Sequence, residues 1–358
     1  MWVLRNAVVP FCARMNTVDN HPKPSLQHIF RWDLDKTYLA TDFDSIPDLL
    51  RTFVQKPEEK INIPGADALL RELLLDTDRR IVTFISGSPQ QMRNVLEEKL
   101  RLDGIDPAFF VLKPNLQNLL RGRFRALRGQ IGYKLEALLD LRCRTALAPE
   151  TLFGDDSEQD AFIYSLYGDI INGRLGRAFV KDLLKQARVY PDTAERILSL
   201  IRDNPIENTT KRIFINLERH TPTARFMPYG GRLVPIHNYF QAALVLFDDG
   251  TLDADSILRV AFSMTSRHRF TPAMLANSFQ DLIRRRRLAP QVATRMAQEL
   301  QNASMPEAIP VGLTPKPFIA ELTRQLHALG DREDIALLGD VGTPDYSKLL
   351  VKALAKRH

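Results

Sequence analysis

Short apolar runs alternate with helix-patterned segments through the first two-thirds of the chain. The apolar runs predict strands at 27–33, 80–85, 109–112, 151–154 and 213–217. The segments between them carry apolar residues three and four positions apart, as in Leu69, Leu70, Leu73 and Leu74, which share one helical face. Strands that alternate with such helices indicate a parallel sheet covered by helices on both faces, so we predict a Rossmann-like α/β fold.

The same pattern divides the chain into three regions. Residues 1–25 end in a Pro-rich stretch that is typical of a leader or linker, and residues 26–221 hold the alternating pattern. Scattered acidic residues at about 38–63 predict a small insertion within that domain. Helical patterns dominate from residue 222 onward, which predicts a mainly helical C-terminal region at 222–358.

Composition and charge narrow the class of protein. A hydrophobic content of 44% predicts a soluble globular protein with a proper core. The 49 basic and 43 acidic residues give a net charge of +6, which permits phosphoesters or anionic lipid surfaces as partners without requiring nucleic acid. Cys12 and Cys143 are too few for a disulfide framework, and no run reaches the roughly 18 apolar residues of a membrane span. We therefore predict a cytoplasmic protein, with peripheral membrane contact as a further option.

Polar residues follow three of the predicted strands directly. Asp33-Leu34-Asp35-Lys36-Thr37 follows the first strand, Ser86-Gly87-Ser88-Pro89 the second, and Asp155-Asp156 the fourth. Ligands of parallel α/β sheets bind beyond the carboxyl ends of the strands, and paired carboxylates there suit a hard cation such as Mg²⁺. An EF-hand is excluded, because its sixth and twelfth positions would be Tyr38 and Asp44 in place of Gly and Glu.

Four motifs in order resemble those of the haloacid dehalogenase (HAD) superfamily of aspartate-nucleophile phosphotransferases. They are Asp33-Leu34-Asp35-Lys36-Thr37, Ser86-Gly87-Ser88, Lys134, and Gly154-Asp155 with Asp160. Within the superfamily, the stretches 84–89, 132–134 and 153–164 resemble the phosphatidate phosphatase domain of the actin-patch-associated type. The resemblance covers about 27–220 and implies a HAD-like fold and a phosphatase that forms an aspartyl-phosphate.

The resemblance also implies a role for individual residues. Asp33 would attack phosphorus, and Asp35 would be the general acid–base. Lys134 would balance charge on the nucleophile and the transferring group. Ser86 would hold the phosphoryl oxygens, together with backbone N–H groups freed by the glycine that follows it. The set that contacts the substrate would include Gly87, Ser88 and Thr37.

Mg²⁺ is the cofactor that the resemblance implies. The side chains of Asp33 and Asp155 would be its ligands, with the carbonyl of Asp35 as a third. Asp156 or Asp160 would not bind the metal directly but would orient Lys134 or a metal-bound water. The related enzymes usually carry Gly-Asp-Ser where this chain has a second aspartate, Asp156, so the role of that carboxylate stays open.

The first predicted strand departs from the family pattern. It contains His28, Arg31 and Trp32, and is less apolar than usual. We therefore expect this strand to lie near a sheet edge or to face the insertion.

The leading hypothesis is a Mg²⁺-dependent phosphomonoester hydrolase, with phosphatidate as the substrate that the resemblance implies. A soluble phosphoester, a nucleic-acid end, and a binding or scaffold role with an idle site are the alternatives. A nucleic-acid phosphatase would need a continuous basic groove with stacking aromatics, and only 121–128 hints at one. That basic stretch would grip an anionic head group or be a solvated loop, and the sequence alone favours the loop. The sequence does not define the oligomeric state.

Overall fold

The computed structural model describes residues 26–40, 56–75, 79–113, 127–157, 159–302, 315–330 and 336–355. Three sequence-based expectations fall wholly or partly outside these residues. They concern the leader at 1–25, the part of the insertion at 41–55, and most of the basic run at 121–128.

Six strands of the described chain form one parallel sheet. They are β1 (His28–Trp32), β2 (Arg80–Pro89), β3 (Phe109–Lys113), β4 (Glu150–Asp155), β5 (Thr210–Asn216) and β6 (Leu233–Ile236). Their order is β3-β2-β1-β4-β5-β6, so the direction of winding reverses between β1 and β4. A crevice forms at the carboxyl ends of two such strands, and it is the usual ligand site of this fold. The predicted Rossmann-like α/β class is confirmed.

Helices cover both faces of the sheet. The apolar core on one face of the sheet includes residues of α1 (Ala66–Leu73), α2 (Arg93–Leu102), α7 (Tyr239–Asp248), α8 (Ala254–His268), α9 (Pro272–Arg284), α10 (Gln291–Asn302) and α11 (Pro315–Gly330). The core on the other face includes residues of α3 (Leu127–Arg144), α4 (Asp160–Ile171), α5 (Arg177–Gln186), α6 (Pro191–Asp203) and α12 (Tyr346–Ala355). Short 3-10 helices lie at Pro57–Glu59, Gln90–Met92 and Thr223–Tyr229. None of the helices described here combines the length and apolar character needed to cross a bilayer.

The C-terminal helices and the sheet share one apolar core. Phe30 and Trp32 of β1 belong to it together with Phe240 and Leu244 of α7, and the ring of Trp32 stacks 5.4 Å from that of Tyr239 on the same helix. Strand β6 precedes these helices and extends the sheet beyond β5. The recurring prolines before the helical region, Pro235 among them, do not predict a strand at β6. An edge strand tolerates proline, because one side of it needs no ladder hydrogen bonds.

Strand β1 lies in the interior of the sheet, between β2 and β4, so the expected edge position is wrong. Arg31 of β1 can be buried in the sheet interior because Glu150, on the neighbouring strand β4, supplies the counter-charge. Arg31 Nε donates to Glu150 Oε2 at 2.7 Å, and Arg142 Nη1 donates to Glu150 Oε1 at 2.9 Å. Tyr167 adds a third hydrogen bond to the same carboxylate. Trp32 is fully buried, with its ring stacked 4.0 Å from that of Phe153.

The second polar residue of β1, His28, predicts a loss of stability in mild acid. Its Nε2 lies 2.9 Å from Thr151 Oγ1, and burial, assisted by the charge of Arg80, lowers the pKa of His28 to about 4. In the unfolded chain the pKa is about 6.5, so below that pH the unfolded state takes up a proton that the folded state does not bind. Stability therefore falls as the pH drops, by on the order of 2 kcal/mol between pH 7 and 5.

Replacing His28→Gln removes this titration and keeps a polar partner for Thr151. We expect the variant to lose less unfolding free energy between pH 7 and pH 5 than the wild type, measured by urea denaturation. His327→Gln is the matched control, because it makes the same substitution at a half-buried position of α11. An identical pH dependence in His28→Gln and wild type would contradict the buried, neutral state of His28.

Candidate active site

Three buried carboxylates meet at the carboxyl ends of β1 and β4. Asp33 follows β1, Asp155 ends β4, and Asp160 is the first residue of α4. The backbone N–H of Asp33 donates to the carbonyl of Phe153 at 2.8 Å, which fixes the two strand ends side by side. Carboxylate oxygens of Asp33, Asp155 and Asp160 lie within 4.8 Å of one another, and all three side chains are buried. We call this group the carboxylate cluster.

Gly154 allows Asp160 to join the cluster. A Cβ atom on Gly154 would lie 2.6 Å from the Cβ of Asp160, closer than two such atoms approach. Asp160 Oδ2 instead accepts a hydrogen bond of 3.2 Å from the backbone N–H of Asp155. The close approach of α4 to β4 therefore depends on the missing side chain of the glycine.

Lys134 reaches the carboxylate cluster from α3. Its Nζ lies 3.1 Å from Asp33 Oδ1 and 2.6 Å from Asp160 Oδ1, and the side chain is fully buried. One ammonium among three carboxylates leaves the cluster negative when all four groups are ionised. Burying such an excess charge is costly unless a cation compensates it. The oxygen-only set of acidic ligands fits a hard divalent ion.

Asp35 lies apart from the carboxylate cluster and faces the end of the neighbouring strand, β2. Its Oδ2 accepts hydrogen bonds from Ser86 Oγ at 3.0 Å and from Ser88 Oγ at 2.7 Å. Ser86 Oγ in turn accepts from the backbone N–H of Ser88 at 2.9 Å. These serines belong to β2, which continues through Gly87 to Pro89 and so extends beyond the predicted end of the strand at residue 85. A register shift against β3 between Ser86 and Pro89 accommodates this irregular end.

The loop after Asp33 is fixed by hydrogen bonds that the sequence analysis missed. Lys36 adopts a left-handed conformation with φ of 59°, and Asn216 Nδ2 donates to its carbonyl at 2.9 Å. Tyr239 OH donates to the carbonyl of Thr37 at 2.6 Å, and Thr37 Oγ1 donates to Asp33 Oδ2 at 3.3 Å. Burial, together with the charges of nearby carboxylates including Asp33, holds the pKa of Tyr239 well above its ordinary value. The phenol therefore stays protonated and keeps donating.

Asn216 carried a signal that could have identified it, because it is the polar residue next to the end of the predicted strand 213–217, on the same edge of the sheet as the site. Tyr239 did not, since it looks like any core aromatic of an apolar helix.

Asp156 is turned toward the loop after β5. Its two carboxylate oxygens accept hydrogen bonds from the backbone N–H groups of Arg219 at 2.8 Å and Thr221 at 2.9 Å. The carboxylate cluster of the described residues does not include it. The additional aspartate after Asp155 thus anchors a neighbouring loop.

Comparison with known proteins gives one family. Residues 32–181 match the family described as phosphatidate phosphatase APP1, catalytic domain, which has a HAD-like fold. The matched segment contains all the residues of the carboxylate cluster and also Asp35, Ser86 and Lys134. No curated protein and no solved structure matches the chain. The family match confirms the resemblance that the four motifs indicated.

Proposed function

From the match of residues 32–181 to the phosphatidate phosphatase APP1 catalytic-domain family, we propose that the chain is a Mg²⁺-dependent phosphatase acting on phosphatidate through an aspartyl-phosphate. One observation carries this proposal. Asp33 lies between a buried lysine and two further carboxylates, while Asp35, two residues on, is hydrogen-bonded to two serine hydroxyls. The arrangement separates a nucleophile with a cation site from a proton-transfer group.

In the first half of the proposed reaction, a carboxylate oxygen of Asp33 attacks the phosphorus atom. The bond between phosphorus and the ester oxygen breaks, and Asp35 gives its proton to the departing alcohol oxygen. In the second half, Asp35 takes a proton from water, whose oxygen attacks phosphorus and breaks the bond to Asp33. Inorganic phosphate leaves, and both aspartates return to their starting states.

The proposed Mg²⁺ ligands are the carboxylates of Asp33 and Asp155 with the carbonyl of Asp35, and Asp160 contributes through its contact with the same cluster. When bound, the cation offsets the negative charge that opposes attack of a carboxylate on a phosphate. We assign this supporting role to Asp160 in preference to Asp156, because both oxygens of Asp156 already accept backbone hydrogen bonds.

The remaining groups position the substrate. Lys134 balances charge on Asp33 and on the transferring phosphoryl group. Ser86, Gly87 and Ser88 lie at the end of β2, and their hydroxyl and backbone N–H groups would hold phosphoryl oxygens once the two serine hydroxyls turn away from Asp35. Thr37 orients Asp33 through its hydroxyl.

Phosphate release from a defined panel of substrates tests the proposal. The panel is phosphatidate in vesicles, glycerol 3-phosphate and a 5′-phosphorylated oligonucleotide, each with Mg²⁺ and with a chelator. We expect Mg²⁺-dependent release that is fastest from phosphatidate. Undiminished release in chelator would contradict the metal requirement, and preference for the oligonucleotide would favour a nucleic-acid phosphatase. No release from a folded protein would favour a binding role.

Gly154→Ala should damage the site without removing any functional group. The new Cβ displaces Asp160 from β4 and hence from Lys134, and a misplacement of about 1 Å can cost about 100-fold in rate. We expect kcat to fall by roughly 10- to 100-fold and the Mg²⁺ concentration for half-maximal activity to rise.

The matched control is Gly176→Ala, where an added Cβ meets nothing within 4 Å. This control should keep wild-type kcat and Mg²⁺ dependence. Wild-type kinetics in Gly154→Ala would show that the tight contact between Gly154 and Asp160 does not matter for turnover.

A further inference from the structure

A cavity of about 680 Å³ opens beside the carboxylate cluster. Its inner end touches Asp155 and Asp156, and its walls come from α4, the 3-10 helix Thr223–Tyr229 and α12. The volume falls within the range of about 300–1,000 Å³ that is usual for small-molecule sites. The cavity is therefore large enough for a ligand and continuous with the proposed site of phosphate chemistry.

The walls of the cavity are apolar and fixed. Phe162, Phe226 and Leu349 line it, and all three are buried in the core on this face of the sheet. Phe162 packs edge-to-face against Tyr346 of α12 with ring centroids 5.7 Å apart. Because these side chains are held by the core behind them, the apolar wall is in place before any ligand arrives.

The exposed part of the cavity lining is basic, and the two elements that form it also expose apolar side chains outside the cavity. Arg225 and Lys352 line it and are exposed. On the same two elements, Met227 is 46% exposed and Val351 is 64% exposed. An anionic lipid surface attracts elements that carry both basic groups and exposed apolar side chains. The exposed part of the cavity thus favours a ligand that is negatively charged at one end and apolar at the other.

We propose that this cavity binds an acyl chain of the substrate, with the phosphate at Asp33 and the chain along Phe162, Phe226 and Leu349. The inference rests on the proposed function, because it takes the phosphate position from it. It goes further by naming the part of the protein that distinguishes an acylated phosphomonoester from a small, water-soluble one. Ordinary burial of methylene groups supplies the discrimination.

Filling the cavity from its exposed wall tests the inference. Ala224 lines the cavity and is exposed, so Ala224→Trp adds bulk there without disturbing the core. Dioctanoyl phosphatidate and glycerol 3-phosphate share the phosphoglycerol group and differ in acyl chains. We expect Ala224→Trp to lower kcat/KM for dioctanoyl phosphatidate by at least about 10-fold and to change that for glycerol 3-phosphate by less than about twofold.

Ala320→Trp is the control, because Ala320 is exposed on α11, which packs on the other face of the sheet. It should leave both kcat/KM values unchanged. An equal effect of Ala224→Trp on the two substrates, or no effect on either, would overturn the acyl-chain site while leaving the proposed function intact. Thermal melting of each variant establishes that it is folded.

Binding of dodecylphosphonate separates the two proposals where turnover fails. Its carbon–phosphorus bond is not a substrate for ester hydrolysis, so calorimetry reports binding alone. If the wild type releases phosphate from none of the substrates, the proposed function fails, and dodecylphosphonate binding alone tests the cavity as a ligand site. Binding to the wild type and to Ala320→Trp that Ala224→Trp weakens at least about 10-fold supports an amphiphile site. Equal binding to all three, or none, overturns it.

Discussion

Asp33→Asn should abolish phosphate release, with a loss of at least about 10⁴-fold in kcat. The amide keeps the shape of the carboxylate but cannot act as the anionic nucleophile that attacks phosphorus. We expect the surrounding structure to be retained, because Lys134 keeps its 2.6 Å contact with Asp160 Oδ1. The loss should therefore be one of chemistry, with the fold retained.

Phosphate release and thermal melting, measured on the same preparations, separate these effects. Asp106→Asn makes the same substitution at an exposed position and should behave like the wild type in both assays. A rate for Asp33→Asn within about tenfold of the wild-type value would show that another group is the nucleophile.

Glu150→Gln should lower the free energy of unfolding by about 3–5 kcal/mol, the usual cost of breaking a buried ion pair. Glu150 is buried between Arg31 and Arg142, and its neutralisation leaves two buried guanidinium groups without a counter-charge. Burial alone would raise the pKa of Glu150, but the charges of Arg31 and Arg142 outweigh it and hold the pKa below its ordinary value. The ionised carboxylate thus stabilises the fold at neutral pH.

The sign of the pH effect follows from this lowered pKa. The stabilisation is present above the unfolded-state pKa of glutamate, about 4.3, and is lost as the pH falls through the folded-state value. Urea denaturation at pH 7 gives the free-energy difference by linear extrapolation. The control is Glu136→Gln, which breaks a solvent-exposed pair with Arg196 and should cost less than about 1 kcal/mol. A smaller loss in Glu150→Gln than in this control would contradict the account.

The alternation of apolar runs and amphipathic segments was enough to predict five strands and the parallel sheet. Two predictions, the edge position of β1 and the absence of a strand at β6, were wrong because each depended on tertiary contacts that the local sequence does not show. Arg31 suggested an edge strand, because its counter-charge, Glu150, lies 119 residues away in the chain. Strand β6 escaped because it is short and contains Pro235, which only its edge position makes acceptable.

The sequence was enough to predict that the candidate site lies at the carboxyl ends of the strands, but it did not predict which side chains contact one another there. The rule that ligands lie beyond strand ends selected Asp33, Ser86 and Asp155. Spacing alone would pair Asp33 with Asp35, but the chain turns at Lys36, and Asp35 contacts the serines of β2. Likewise, no sequence pattern shows that the carboxylate of Asp160 points into the cluster while that of Asp156 anchors a loop. Which of the two joins the cluster depends on how closely α4 approaches Gly154.

Trapping the phosphorylated enzyme tests the central claim most directly. The wild type is mixed with phosphatidate and Mg²⁺, quenched in acid during turnover and treated with borohydride, which reduces an aspartyl-phosphate to homoserine. Mass spectrometry then identifies the modified position. We expect homoserine at position 33 in the complete mixture, unmodified Asp33 when substrate is omitted, and no homoserine at position 35 in the Asp33→Asn variant. Steady turnover with position 33 unmodified, or modification at a different residue, would contradict it.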